Sequence, residues 1–207
     1  MWTILISLLT TCFASQASLL HQHLLVEPCA HPVGSVPTLS AVAASARKRL
    51  LSELHAAKLE NAVVFMKGGN VEHREDTDTE IHFRQESNFL YVTQVDQPDF
   101  AVVIDAHASK TYLLAPVRDA NYALWNGQLE SHEQLRKRYG VDDVRAFDDE
   151  HVDKLLRQLT PDNQTVFMLP WQHFEHEKQF NVDRDRLLPV VHAARVQKSD
   201  EEIAICF

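Results

Sequence analysis

The sequence predicts an α/β fold, a β-sheet covered by helices, and three observations carry that expectation. Short apolar runs of strand length alternate along the chain with amphipathic stretches of helical period. Glycines and helix-capping residues fall at the boundaries between them. No internal repeat and no low-complexity tract interrupts the alternation.

Taken in order, Trp2 to Phe13 is an apolar run broken only by Thr and Ser, and Ala14 and Ala17 follow as small residues. Residues 1–17 therefore resemble a secretory signal peptide, although the segment before the run carries no Lys or Arg. The run is too short to span a bilayer comfortably, which disfavours a membrane anchor. The chain is expected to be secreted if this leader functions and cytoplasmic otherwise. Residues 18–37 hold Pro28, Pro32 and Pro37, which remove backbone donors, and read as a linker or arm. Residues 38–198 are expected to form the folded domain.

Within that domain Ser45 to Leu59 reads as a helix, with Leu50, Leu51, Leu54 and Ala57 on one face. Ala62 to Met66 reads as a buried strand that Gly68-Gly69 ends. Phe100–Ile104 and Thr111–Leu114 are strand candidates close enough for a hairpin. Ser131 with Gln134 is a capping-box pattern, Gly140 a helix stop, and Arg136, Lys137 and Arg138 suit the negative end between them. Asp149 to Leu159 is an amphipathic helix with Val152, Leu155, Leu156 and Leu159 on one side. Thr165 to Leu169 is a strand that Pro170 stops. Ser199-Asp200-Glu201-Glu202 then announces another helix, of which residues 199–207 supply about two turns. A helix that short is not stable alone, so it either docks on the domain or begins a longer element in a larger protein.

The formal net charge of −9, with twelve histidines counted neutral, repels phosphate backbones and argues against a nucleic-acid partner. Three cysteines, Cys12, Cys29 and Cys206, are too few for a disulfide scaffold and match no zinc spacing. His173-Phe174-Glu175-His176-Glu177 could set two imidazoles on one helix face. It is not an HExxH motif and follows Pro170 in a polar stretch, so it reads as a solvated surface helix rather than a metal centre. Asp76-Thr77-Asp78-Thr79-Glu80 alternates oxygen donors but lacks the glycine and the distal bidentate Glu of a calcium loop. Its acids are expected to pair with Arg74 and Arg84. No nucleophile elbow, phosphate loop or dinucleotide fingerprint is present. The residues alone thus describe an α/β domain without a legible active site.

Several stretches resemble a known family. They are Lys67-Gly68-Gly69, Arg74, Asp76-Thr77-Asp78-Thr79 and above all Phe83-Arg84-Gln85-Glu86-Ser87-Asn88-Phe89-Leu90-Tyr91. The pattern continues through Pro98, Ile104-Asp105, Ala115-Pro116, Tyr122-Ala123-Leu124-Trp125-Asn126-Gly127 and Tyr139-Gly140-Val141-Asp142-Asp143-Val144, and closes at Arg195-Val196, Lys198-Ser199 and Glu202-Ile203. Together they resemble the N-terminal domain of the prolidase and aminopeptidase P metallopeptidases, over roughly Pro37 to Ile205. Lys67-Gly68-Gly69 and the Phe83–Ser87 stretch lean toward prolidase.

The resemblance implies a mixed β-sheet flanked by helices, like the creatinase N-terminal domain. It also implies that the catalytic pita-bread domain would follow Ile205 and is absent from this chain. In that domain two metal ions, commonly manganese, sit on two Asp, a His and two Glu and activate the water that cleaves Xaa-Pro bonds. No residue of this chain matches those ligands, so no catalytic residue and no metal ligand is expected in it, and the chain alone is expected to be inactive. The implied partners are a second copy, as a homodimer, and proline-containing peptides. Trp125 matches the tryptophan that reaches toward a neighbouring subunit's active site, where an indole can stack on a proline ring. As a core residue it would have no such role, but Asn126-Gly127 and Tyr122 beside it suggest an exposed loop. Arg84 and Glu86 are expected to form a structural ion pair. Two other readings stay open: a stand-alone dimerisation or peptide-binding module, and an incomplete reading of a longer gene.

Overall fold

The structure, a computed structural model, describes residues 36–161 and 164–206. The leader expected over 1–17, and the arm over 18–37 except its last two residues, lie outside the described residues.

Strand β1 (Val63–Lys67) sits inside a six-stranded sheet. The others are β2 (Ala101–Asp105), β3 (Lys110–Pro116), β4 (Asp143–Phe147), β5 (Thr165–Phe167) and β6 (Asn181–Asp183). Their order is β4-β3-β2-β1-β5-β6. The β2–β3 hairpin forms as expected, with Ala101 opposite Leu114 and Asp105 opposite Lys110. β1 also runs antiparallel to β2, whereas β3–β4, β1–β5 and β5–β6 are parallel. The sheet is therefore mixed, and β2 alone runs against the rest. Its amino end at Phe100 lies on the same sheet edge as the carboxyl ends of the other strands.

Side-chain alternation along β1 sorts the core into two faces. Val64 and Met66 face a cluster with Ala46, Leu50 and Leu54 of α1 (Leu39–Ala56), Phe89 and Val92 of α2 (Ser87–Thr93) and Leu135 of α4 (His132–Tyr139). Leu187, Val190 and Val191 of α6 (Leu187–Val196) complete that face. Val63 and Phe65 face Val152, Leu155 and Leu156 of α5 (Asp149–Leu159). Helices thus cover both sides of the sheet. Between β3 and α4 lies the short α3 (Ala120–Asn126), and α7 (Asp200–Ile205) comes last. No helix among the described residues is long and apolar enough to cross a membrane.

Several boundaries differ from expectation, each for a local reason. The first helix was expected at Ser45 but starts at Leu39, where the hydroxyl of Thr38 accepts from Ala41 N at 3.3 Å. It ends at Ala56, because Lys58 turns left-handed at φ 59° and Leu59 N donates back to Leu54 O at 2.8 Å. No glycine announces that stop, so the periodicity overran it. The 173–177 stretch is turn followed by a single 3-10 turn (Glu177–Gln179), not a surface helix. The acidic run forms no ion pairs with Arg74 or Arg84 among the described residues. Backbone bonds organise it instead: Arg74 N donates to Thr79 O at 2.9 Å, and Thr77 N donates to Arg74 O at 3.1 Å. The Arg84–Glu86 pair does not form either. Arg84 is exposed, and Glu86 caps α2 by accepting from Phe89 N at 2.7 Å, a bond that satisfies an otherwise orphaned helix donor.

The capping boxes at Ser131–Gln134 and Ser199–Glu202 both form as the sequence indicates. Helix α7 docks on α1 through Ser45 Oγ, which donates to Glu201 Oε2 at 2.7 Å.

Candidate functional site

A cleft of about 520 Å³ opens where the carboxyl ends of β3 and β4 lie beside the amino end of β2. In α/β sheets this edge is where ligands are commonly received. Phe100, Ala115 and Leu135 are its buried apolar lining, and Pro98, Pro116 and Leu129 also line it. Helix α3 contributes Tyr122 and Asn126, one turn apart and so on the same side of the helix. The Asp119 carboxylate caps α3 by accepting from Tyr122 N at 2.8 Å, and Gly127 ends it at φ 85°, a conformation that suits glycine.

Two buried amides shape the loops around this edge. Gln85 Oε1 accepts from Gly69 N at 2.6 Å, and its Nε2 donates to Val95 O at 3.1 Å and Gln97 O at 2.8 Å. One side chain thereby ties the Gly68-Gly69 turn to the 94–99 loop. A Cβ on Gly68 would lie 3.0 Å from both Gln85 Oε1 and Phe100 O, so the turn has no room for a side chain there. Gln172 caps the end of β1 in the same manner, accepting from Lys67 N at 3.1 Å and donating to Lys67 O at 2.7 Å.

The cleft lining also includes the guanidinium of Arg118. Its Nη2 donates to Asp99 Oδ2 at 2.5 Å, and its guanidinium lies 4.6 Å from the Tyr122 ring centroid. Asp99 itself is left-handed, at φ 67°. Glu130, the acid that lines the cleft, is bonded to Arg138 at 2.5 Å. His132 completes the titratable lining.

Trp125 is not a core residue: it is 88% exposed, and Leu124 beside it is 80% exposed. The expected loop is a short helix instead, because the Asp119 cap and the Gly127 stop enclose enough residues for two turns. The helix turns Tyr122 and Asn126 into the cleft and leaves Leu124 and Trp125 outside it, on the rim. Sequence reasoning found the indole but missed the cleft, Arg118, Asp99 and Gln85. Gln85 lay within the motif that carried the resemblance, but nothing in its local pattern shows that it is a buried connector. Arg118 and Asp99 are nineteen residues apart and meet only through the hairpin.

His173 and His176 do not assemble a metal centre. His173 Nδ1 lies 3.2 Å from Glu177, which Arg184 also holds at 2.6 Å, whereas His176 Nδ1 lies 2.7 Å from Asp153 on α5. For Glu177, burial raises the carboxyl pKa, but the His173 hydrogen bond and the Arg184 charge outweigh it and hold the group below the usual range. The two imidazoles thus serve separate carboxylates. Among the described residues no group of three or more His, Cys, Asp or Glu could hold a metal ion. These residues do not fit a two-metal ligand set.

Comparison with known proteins places the scaffold. The family described as aminopeptidase P, N-terminal domain, matches residues 43–167, from within α1 to the end of β5. The chain belongs to this family. Family relatives include the Xaa-Pro dipeptidase of Homo sapiens, 30% identical over 173 residues, and that of Mus musculus, 32% identical over 174. Each match covers 77% of this chain and 34% of the relative, so the chain spans about a third of the length of those proteins. Among solved structures, a putative aminopeptidase P from Bacillus anthracis superposes with a TM-score of 0.64 at 22% identity, covering 80% of this chain and 42% of that one. The low-pH form of E. coli aminopeptidase P gives 0.63 at 21% identity, covering 80% and 41%. At these identities the family's structures establish the fold: a mixed sheet flanked by helices.

Proposed function

We propose that this chain serves as the non-catalytic N-terminal domain of a manganese-dependent Xaa-Pro peptidase, where it supports homodimerisation and helps to enclose a proline-containing peptide. The observation that carries this reading is the family match from α1 through strands β1 to β5, in a chain about a third as long as Xaa-Pro dipeptidases. The metal chemistry is assigned to the part of such proteins that this chain does not cover. What this chain contributes is a rigid platform, a cleft at the strand edge and an exposed indole on the rim. A large indole left in water is unfavourable unless a partner or ligand covers it.

The test is direct. The purified chain, supplied with manganese, is expected to release no proline from Gly-Pro above a buffer blank. Metal-dependent turnover that survives repeated purification would overturn the non-catalytic reading.

Trp125 gives a second test. Trp125→Ala is expected to change folding stability by less than about 0.5 kcal/mol, the usual range for an exposed site. In the same variant, self-association measured by sedimentation is expected to weaken. A stability loss of about 3 kcal/mol or more, as for a core aromatic, would show that the indole packs rather than contacts a partner.

A further inference from the structure

The charges around the cleft are already spoken for. Arg118 is the lining cation that a peptide carboxylate would seek, yet Asp99 Oδ2 takes its Nη2 at 2.5 Å and Tyr122 stacks beneath it. Glu130 is the lining acid that a free ammonium would seek, yet Arg138 holds it at 2.5 Å. An incoming carboxylate must compete with Asp99 for the guanidinium and also meets the negative charge of Asp99 itself. The rest of the guanidinium's N–H groups have no acceptor among the described residues, so they can donate to a neutral oxygen. The surrounding surface combines apolar and ring-bearing residues, Pro98, Phe100, Pro116 and Leu129, with the uncharged polar side chains of Gln97, Asn126 and Gln128. At about 520 Å³ the space is of the size that takes small ligands or a few side chains.

We propose that this cleft receives an uncharged apolar segment from within a peptide, with Arg118 donating to a backbone carbonyl, and that Asp99 excludes free terminal carboxylates from it. The inference deepens the peptide-enclosing role proposed above and rests on it. Its occupant is fixed by charge complementarity: apolar walls for side chains, a shared guanidinium for a carbonyl, and no unpaired lining charge from an Arg, Lys, Asp or Glu to attract a chain end. Asp99 is thereby a specificity-determining residue. Its left-handed backbone, whose N–H donates to Gly69 O at 2.9 Å, holds the carboxylate in register with Arg118.

The experiment compares two probes on the full chain at about pH 8, above the usual imidazole range. One is acetyl-Leu-Pro-Leu-amide, the other acetyl-Leu-Pro-Leu with a free carboxylate, and binding is read by calorimetry. The amide is expected to bind at least about fivefold more tightly, the ratio that a difference of one hydrogen bond's net strength produces. Asp99→Asn is the decisive variant, because asparagine tolerates the left-handed backbone and removes only the charge. It is expected to abolish or reverse the preference by releasing Arg118 to the carboxylate. Arg118→Gln is expected to weaken the amide and to leave the carboxylate no better bound. Equal or tighter binding of the carboxylate probe to the unmodified chain overturns the inference, as does no saturable binding of the amide. Neither outcome bears on the expected absence of turnover, which the Gly-Pro assay tests separately.

Discussion

Phe65→Ala is expected to lower folding stability by about 3–5 kcal/mol, the range for truncating a fully buried aromatic. Phe65 has no exposed surface and lies on β1, which hydrogen-bonds to β2 on one side and β5 on the other. Its ring meets Phe174 at 5.3 Å between centroids, and Phe174 meets Phe180 at 5.7 Å. Phe65 therefore joins the sheet face under α5 to the irregular segment before β6. Truncation removes both the transferred apolar surface and the partner for Phe174, and strands on both sides limit collapse into the space. Urea unfolding should show a lower midpoint with an unchanged slope. Phe65→Leu should recover more than half of the loss, since most of the volume returns. A loss below about 1.5 kcal/mol, the range of a volume-conserving swap, would show that Phe174 and Phe180 repack and that this face tolerates a void.

Elements with strong local punctuation were legible in the sequence. Helix α5 has the expected bounds because Val152, Leu155 and Leu156 repeat at helical spacing behind an acidic cap. Helix α4 was marked by its capping box and by Gly140 at φ 60°. The hairpin followed from two apolar runs and a short connection. Less visible were elements whose ends are set by single polar contacts. Helix α2 starts where Glu86 turns back on Phe89, and α3 starts where Asp119 turns back on Tyr122; both are too short for periodicity to reveal. The sheet order was not legible from pattern alone, since parallel β3–β4 pairing depends on the crossover through α3 and α4. The resemblance supplied its mixed character.

The candidate site was hidden for a related reason. Trp125 stood out because a large apolar residue sits beside a turn signal. The cleft it borders is made of Pro98, Phe100, Pro116 and Leu135, ordinary residues that come together only after the hairpin closes and α4 packs on the sheet. Glu86 misled because proximity to Arg84 suggests an ion pair. A helix end offers a carboxylate better terms than an exposed arginine does, because the backbone donors are already fixed in place.

Arg47→Ala is expected to cost about 3 kcal/mol or more, a large effect for a charged residue of α1. Arg47 is 6% exposed. Its Nη2 donates to Gly140 O at 2.7 Å and Tyr139 O at 3.3 Å, and its Nη1 donates to Val92 O at 3.4 Å. The guanidinium thus caps the carboxyl ends of α4 and α2 at once, where orphan carbonyls and the negative helix termini gather. Burial pushes the Arg47 pKa below its ordinary value, while the Asp142 charge acts in the opposite direction. Alanine would leave these carbonyls without their donor in a space closed to bulk water, and hydrogen bonds to a charged group are worth about 1.5–3 kcal/mol each in net stability. Arg47→Lys should recover only part of the loss, because a single ammonium cannot reproduce the planar fork that spans both helix ends. The consequence reaches the candidate site, since Leu135 of α4 lines the cleft and Arg47 holds α4 against α1. Arg47→Lys is therefore expected to reduce binding of the amide-capped peptide even under conditions where the chain remains folded, as monitored by circular dichroism. If Arg47→Ala instead unfolds at the same urea concentration as the unmodified chain, water already serves those carbonyls and the arginine is not the tie between the helices.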